Sequence, residues 1–166
     1  MAAVAFAVHN VEEGIGAPAL LQLMQSRAPD FVRSFYSEIR APDLRGSLVI
    51  LSAIGFCLAA IASRRITSRV WSYVMVVFGA VMGLNGLAHV AFSIAWDDYM
   101  PGTLTAVSVT IPVSLALLMR SHREAWIAPS LRWTLAPAAI VVHGPVLAAL
   151  IPLLVRLARF LTRRAT

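Results

Sequence analysis

Apolar residues run along this chain in long blocks that short polar segments separate. A membrane-spanning helix needs about 20 mostly apolar residues. Four blocks meet that requirement: Leu44–Ser63, Val70–Ala95, Thr103–Met119 and Trp133–Val155. Residues 1–25 form a further apolar block, which we expect to be a retained first helix weakened around Gly14, Gly16 and Pro18. The pattern predicts an all-α protein, a polytopic transmembrane helical bundle of about five transmembrane helices.

The segments between these blocks are short and polar. Arg27–Ala41 follows the first block and carries apolar side chains at helical spacing, namely Phe31, Val32, Phe35, Tyr36 and Ile39. That spacing predicts a short amphipathic helix lying at the membrane interface. Turns are expected at Arg64–Arg69 and Asp97–Gly102, with a polar loop over Arg120–Leu131. No internal repeat or second region stands out, so residues 1–166 are expected to form a single transmembrane helical domain.

The composition supports a membrane protein and excludes several classes of function. Hydrophobic residues make up 59% and charged residues 13%, whereas soluble domains average about 45–50% and about 25%. All 14 basic residues are arginine, which excludes a lysine Schiff base and any catalytic lysine. Arginines at the ends of apolar runs reach toward lipid headgroups. The net charge of +6 therefore indicates the lipid bilayer as partner and no nucleic acid, and leaves a homo-oligomer open.

Three ionisable residues, His9, Glu12 and Glu13, interrupt the first apolar block. A charged acid at a helix centre costs about 2.5–3.5 kcal/mol on insertion, whereas a large aliphatic residue returns only about 0.3–0.6 kcal/mol. Two ionised glutamates would cost about 5–7 kcal/mol, more than the roughly 2.4–4.8 kcal/mol that the large apolar residues of this helix return. The helix must therefore turn the glutamates into the bundle or protonate them. At helical spacing the three residues share one arc of about 100°, which favours the first option.

Polar residues recur at a similar depth in two other spans. Asn85 and His89 lie one helical turn apart, and His143 lies in the last span. Counted from one membrane side, Glu13, Asn85 and His143 are each about 16–18 Å deep at 1.5 Å per residue. We therefore expect Glu13, Asn85, His89 and His143 to face one central cavity, with Glu13 within about 4–6 Å of a histidine or of Asn85.

The walls of this cavity should be apolar, because a substrate drawn from the bilayer must leave lipid without gaining water. The candidate substrate-binding residues are Phe6, Met82, Phe92, Trp96, Thr105 and His143. A face of small residues on the third span, formed by Gly79, Gly83 and Gly86, should allow another helix to approach closely.

These motifs resemble a family of small bacterial membrane proteins named for an HXXEE motif. The motif is present here as His9–Glu13, which reads His-Asn-Val-Glu-Glu. The segment from Asn85 to His89 and the segment Tyr99–Gly102, followed by Thr103 and Thr105, are also similar to that family. The resemblance covers most of the chain. It implies the fold and the position of the site, and a bacterial inner (plasma) membrane location with several passes, but no particular reaction.

Three classes of function fit these residues. The first is an acid–base enzyme, an isomerase, cyclase or epoxide-opening enzyme for an isoprenoid- or polyketide-like substrate. There Glu13 and His9 would carry proton transfer, Glu12 would orient them or act as a second acid, and His89 and Asn85 would complete the catalytic group. No cofactor is required in this interpretation, which we prefer.

The second class is a metal-dependent membrane hydrolase or oxidase. The alternative ligand set for divalent zinc or iron is His9, Glu13, His89 and His143. The third class is a proton-coupled transporter or sensor in which the same residues relay protons. Five short spans without an obvious repeat make transport the weaker interpretation.

Overall fold

The computed structural model describes residues 1–65 and 67–164, with side chains as far as Leu161. Within these residues the chain forms seven helices joined by short connections. They are α1 (Ala2–Ile15), α2 (Ala17–Arg27), α3 (Asp30–Tyr36), α4 (Ala41–Arg64), α5 (Arg69–Trp96), α6 (Thr103–Arg123) and α7 (Pro129–Leu161). The helical backbone of α7 continues to Arg164. The expected all-α bundle is therefore confirmed.

Helices α4 to α7 are each long and apolar enough to cross a membrane. They correspond to the four clear apolar blocks of the sequence, and α6 extends to Arg123 into the segment predicted as a polar loop. The first block differs, because its helix breaks at Gly16 into α1 and α2. With 14 residues, α1 is about 21 Å long at 1.5 Å per residue, shorter than the hydrocarbon core of a bilayer.

The break at Gly16 is held by a contact from a distant part of the chain. A Cβ atom at Gly16 would lie 2.5 Å from the ring of Pro101, so only glycine lets the α5–α6 connection approach this closely. Pro18 occupies the first turn of α2, a position where a missing N–H costs nothing. The predicted weak point therefore becomes a true helix boundary.

Helix α1 buries its polar side and exposes its apolar side. Ala5, His9 and Glu13, spaced four residues apart, are buried. The large apolar side chains on the other side, such as Val11 and Ile15, are exposed. In water this arrangement would be unfavourable, whereas in a bilayer it places hydrocarbon against hydrocarbon. The orientation agrees with the expectation that the helix turns His9 and Glu13 into the bundle.

Helix α5 contacts all three of the other long helices. Helix α1 lies against α4 and α6, while α5 contacts α6 and the first half of α7, and α4 packs on the second half of α7. The glycine face of α5 meets α6, and a Cβ at Gly79 would lie 2.4 Å from Leu117. The short Asp97–Gly102 connection reverses the direction of the chain, so that α6 runs along α5. The small residues of α5 then allow α6 to pack closely against it.

The predicted amphipathic segment forms α3, which is seven residues long. Its Phe35 and Tyr36 side chains stack edge to face and pack on the apolar cluster of α2. Phe31, on the opposite side, is 77% exposed. One face of this short helix is therefore anchored on α2 and the other is free to contact the interface.

An ion pair that sequence analysis did not identify joins the start of α4 to α7. Asp43, which is buried, accepts a hydrogen bond from Arg159 Nη2 at 2.7 Å and one from Arg40 Nε at 3.2 Å. Arg159 also donates to the backbone carbonyl of Glu38. The carboxylate thus fixes two helices that are far apart in sequence.

Replacing Asp43 with asparagine should lower the free energy of unfolding by about 1–3 kcal/mol, because the variant removes the buried negative charge that binds Arg159 and Arg40. Unfolding by heat or SDS in mild detergent measures the change. The matched control is Asp30→Asn, since the Asp30 side chain is 95% exposed and its pair with Arg33 is a surface pair. Equal stability of the two variants would contradict a tie between α4 and α7.

Candidate active site

The carboxylate of Glu13 is the centre of a buried polar cluster. Glu13 Oε1 lies 2.6 Å from His89 Nε2 and 3.3 Å from His9 Nε2. All three residues are buried, with His9 0% exposed. The two imidazole rings meet edge to face with centroids 4.8 Å apart. Glu13 is thus closer to a histidine than the 4–6 Å that the sequence leads us to expect, close enough to share a proton with His89.

The two ring nitrogens of His89 have different surroundings, because Nε2 contacts Glu13 and Nδ1 does not. Nδ1 is buried and has no hydrogen-bond partner in the part of the chain that the structure describes. It faces the backbone of Gly102, where an added Cβ would lie 2.7 Å away. An imidazole held by a carboxylate on one nitrogen can accept or donate a proton at the other. Among the described residues, this nitrogen is therefore the one imidazole position of the His9–Glu13–His89 group that is buried and without a partner.

Asn85 joins His9 to His143 and so brings α7 to the cluster. Asn85 Nδ2 donates to His9 Nε2 at 2.8 Å, and His143 Nε2 donates to Asn85 Oδ1 at 2.9 Å. His143 sits in a π-helical turn, Val142–Val146, which contains Pro145. Because proline lacks an N–H, the α-helical ladder cannot continue through this position. The wider turn carries the half-buried His143 toward Asn85.

Thr105 completes this hydrogen-bonded chain on the far side of His9. His9 Nδ1 lies 3.0 Å from Thr105 Oγ1, and that hydroxyl is 3.3 Å from the carbonyl oxygen of Gly102. With Asn85 donating to Nε2, the proton of neutral His9 is on Nδ1 and points to Thr105. Asn85 and Thr105 therefore fix both the orientation and the tautomer of His9.

Glu12 points away from the histidines and caps helix α6. Its carboxylate accepts hydrogen bonds from the backbone N–H groups of Gly102 at 3.0 Å, Leu104 at 3.3 Å and Thr105 at 2.7 Å. The hydroxyl of Tyr99 donates a fourth. The first N–H groups of a helix lack partners within it and attract negative charge. Glu12 thus satisfies the N-terminus of α6 from a different helix.

The capping carboxylate also changes the acidity of Tyr99. Burial raises the pKa of the Tyr99 hydroxyl above its usual value, and its hydrogen bond to the negative Glu12 raises it further. Tyr99 therefore stays protonated and remains a donor to Glu12 at physiological pH. The sequence leads us to expect Glu12 as an orienting residue or second acid, and these contacts favour an orienting role.

Sequence analysis named Tyr99–Gly102 as part of a motif but did not pair the segment with Glu12. One signal was present, a glycine followed by a threonine at the predicted start of a helix, where an anion is favoured. The partner could not be identified because about 90 residues separate the two segments.

Gly102 is the position where the capped loop meets the histidines. Its φ of +104° is in the left-handed region that glycine adopts without strain. Gly102→Ala should lower the free energy of unfolding by about 2–4 kcal/mol, because strain adds to the clash with His89 Nδ1. Thermal unfolding in detergent measures this. Gly144→Ala is the control, since no atom lies within 4 Å of a Cβ built there; equal effects would show that the loop is not packed on His89.

The predicted wall residues lie in two places. Phe6 and Met82 belong to one apolar cluster with Phe78, whereas Phe92, 39% exposed, stacks on Trp96 with ring centroids 4.8 Å apart. The polar side chains of the cluster contact one another directly. The sequence predicts an open cavity, but the structure has a packed network of side chains at this place. The hydrogen bonds between these side chains draw the helices together.

Three of the four residues in the alternative metal-ligand set lie together. Donor atoms of His9, Glu13 and His89 are all within 4.8 Å of one another. Two imidazoles and one carboxylate are a donor set that suits zinc or iron. His143 lies outside this group, because its Nε2 is bonded to Asn85.

The fold and the site together define a membrane protein, a helical bundle with a buried histidine and glutamate cluster. Residues 1–117 match the family described as "Protein of unknown function with HXXEE motif", and the chain belongs to that family. The match includes His9, Glu12, Glu13, Asn85 and His89, whereas His143 lies beyond it. No curated protein and no solved structure gives a significant match.

Proposed function

We propose that this protein is an integral membrane enzyme that uses acid–base chemistry on a lipophilic, isoprenoid- or polyketide-like substrate. It would act as an isomerase, a cyclase or an epoxide-opening enzyme. One observation carries the proposal: Glu13 Oε1 is 2.6 Å from His89 Nε2, while Nδ1 of the same ring is buried and unpartnered among the described residues. A carboxylate on one side of an imidazole makes the other side a better base.

The proposed step is a proton transfer that leaves the substrate's overall charge unchanged. When the α5–α6 connection that covers His89 Nδ1 at Gly102 opens, this nitrogen takes a proton from the substrate, and the negative charge of Glu13 stabilises the imidazolium that forms. The imidazolium N–H exchanges with solvent, and a proton then passes to a second atom of the substrate, which completes an isomerisation. For epoxide opening, protonated His89 instead donates to the ring oxygen as the C–O bond breaks. Water or a hydroxyl of the substrate attacks the carbon, and the proton that it loses returns to His89.

The surrounding residues do not transfer the proton themselves but orient the groups that do. His9 Nε2 lies 3.3 Å from the same oxygen of Glu13, and Asn85 and Thr105 hold the His9 ring in place beside it. His143 positions Asn85 from α7. Glu12 holds the loop whose Gly102 lies against His89. These contacts preorganise the reacting groups, which is where enzymes gain most of their rate.

The exposed apolar face of α1 supports a substrate that arrives from the bilayer, because that face presents Val11 and Ile15 outward directly behind the cluster. We also propose a bacterial inner membrane location with several passes, and the four long apolar helices support the membrane part of this proposal.

Deuterium uptake tests the function without knowledge of the substrate. The purified protein in lipid nanodiscs is incubated in D₂O with a lipid extract of the native cells, and the extract is analysed by mass spectrometry. An isomerase or cyclase should place one solvent deuterium in a C–H bond of one lipid class, and an epoxide-opening enzyme should change the mass or retention of an epoxide. Extracts that match those from empty nanodiscs would contradict the proposal.

A metal-dependent reaction is the second candidate, favoured by the proximity of the donor atoms of His9, Glu13 and His89. A bound zinc or iron ion would supply Lewis-acid or redox chemistry there. Elemental analysis of protein purified without added metal separates the two candidates. One equivalent of zinc or iron, lost in Glu13→Gln and needed for turnover, would replace the acid–base proposal with this one.

A further inference from the structure

A groove of about 440 Å³ lies between α1 and α4, on the side of α1 away from Glu12. Its volume is within the range of about 300–1,000 Å³ that is typical of small-molecule sites. Apolar side chains form most of its walls, namely Val11, Ile15, Leu48 and Val49. None of the residues of the histidine cluster lines it, so the groove is separate from the site described above.

Arg45 lies at one end of the groove and is held in place. Its Nε donates a hydrogen bond of 2.8 Å to the carbonyl oxygen of Gly14, which directs the guanidinium across the gap between the two helices. Within the described part of the chain, the hydrogen bond from Nε is the one polar contact of the Arg45 side chain, so its two terminal nitrogens have no partner there. A guanidinium of this kind can form two parallel hydrogen bonds with a phosphate or carboxylate.

The two ends of the groove, marked by Arg45 and Ser52, lie at different depths along α4. Arg45 is in the first turns of the helix, whereas Ser52 is seven residues further on, about 10 Å deeper at 1.5 Å per residue. At that inner end Asn10, which is buried, donates to Ser52 Oγ at 2.9 Å. The groove thus runs from a cationic entrance along apolar walls to an inner end where Asn10 and Ser52 are paired with each other. A charged entrance above apolar walls is the polarity order of a lipid molecule in its leaflet.

The charge around the entrance also favours an anion. Arg40 and Arg159 lie at the same end of α4, where Asp43 is the carboxylate between them. Arg156 is exposed one turn before Arg159 on α7. Basic residues near the membrane surface attract anionic headgroups.

From this geometry we infer that the α1–α4 groove binds an anionic lipid of the bilayer, with its headgroup phosphate on Arg45 and one acyl chain between Val11 and Leu48. The inference goes beyond the proposed function, because a lipid seated here would stabilise α1 against α4 whatever the reaction at Glu13. It also gives the broken first helix, which is too short to span alone, a partner on its outer side.

Native mass spectrometry tests this binding directly. The protein is released from nanodiscs that contain phosphatidylglycerol and phosphatidylcholine, and the retained lipid is counted. We expect wild-type protein to keep one phosphatidylglycerol molecule and Arg45→Gln to lose at least tenfold in occupancy. The control is Arg64→Gln at the other end of α4, which is exposed and outside the groove. A second variant, Val49→Trp, fills the groove while Arg45 is kept, and should lose the lipid too.

Each outcome of this experiment either supports or contradicts the binding of an anionic lipid in the groove. Equal retention by wild type, Arg45→Gln and Arg64→Gln would overturn the inference, as would a preference for phosphatidylcholine or occupation of the groove by a second copy of the chain. Because the readout is bound lipid, it is independent of deuterium uptake. Lipid binding without uptake would leave this inference standing and remove the proposed function, and uptake without lipid binding would do the reverse.

Discussion

Replacing Glu13 with glutamine should lower deuterium uptake by about 10²–10⁴-fold, the usual contribution of a general acid or base. Glutamine has the same shape, and its carbonyl oxygen can still accept the hydrogen bond from His89 Nε2. It has no exchangeable acid proton and no charge to stabilise an imidazolium on His89. The variant should therefore fold normally and lose the chemistry, as measured by uptake per molecule of folded protein.

Glu124→Gln is the matched control for this experiment. Glu124 follows α6 outside the spans, and its hydrogen bond with Arg120 lowers the pKa of the carboxyl group below its usual value. The substitution therefore removes one negative charge, as Glu13→Gln does, but far from the histidines. If Glu13→Gln kept the uptake of Glu124→Gln, the carboxylate of Glu13 would not take part in the proton transfer.

Replacing Glu12 with alanine should lower the free energy of unfolding by about 2–4 kcal/mol, the second large effect that the structure predicts. The substitution removes an acceptor that binds three backbone N–H groups of α6 and the hydroxyl of Tyr99. The N–H groups and the hydroxyl would then have to donate their hydrogen bonds to water at the membrane edge. Unfolding by SDS titration in mild detergent measures the loss.

Glu12→Gln separates the charge of this residue from its shape. Glutamine can still accept some of the hydrogen bonds but cannot offset the positive end of α6, so we expect about half of the loss seen with alanine. Glu38→Ala, outside the site, should leave stability within about 0.5 kcal/mol. If Glu12→Ala were as stable as Glu38→Ala, the capping role would be wrong.

The four long spans could be predicted because each is a block of apolar residues of the length that a bilayer requires. The division of the first helix could not be predicted in full. The sequence shows a weak point at Gly16, but the break is fixed by the ring of Pro101, which lies about 85 residues away in the chain and packs on it. Contacts of this kind depend on how α5 and α6 return to α1, which local patterns do not encode.

The members of the site could also be predicted, because an ionisable residue in an apolar helix must have a partner. This reasoning selected His9, Glu13, Asn85 and His89, and the structure brings all four together. It did not assign separate tasks to the two adjacent glutamates. Side chains at neighbouring helical positions point about 100° apart, so Glu12 and Glu13 reach different parts of the bundle.

The ion pair of Asp43 and Arg159 could not be predicted from the sequence, for a different reason. Its members are 116 residues apart, and each has an ordinary interpretation in the sequence, as a helix start and as an arginine near headgroups. Nothing in the pattern of either segment indicates that the two ends meet. Only the packing of α4 on α7 shows that the charge of Asp43 is buried and needs this partner.

The central claim is that the two glutamates of the motif divide the work, Glu13 in proton transfer and Glu12 in holding α6. The most direct test measures both unfolding and deuterium uptake for Glu12→Gln and Glu13→Gln side by side. We predict that Glu13→Gln keeps its stability within about 1 kcal/mol and loses at least 100-fold in uptake. Glu12→Gln should lose stability and keep uptake per folded molecule within about tenfold. Equal losses of uptake by two stably folded variants would contradict the claim.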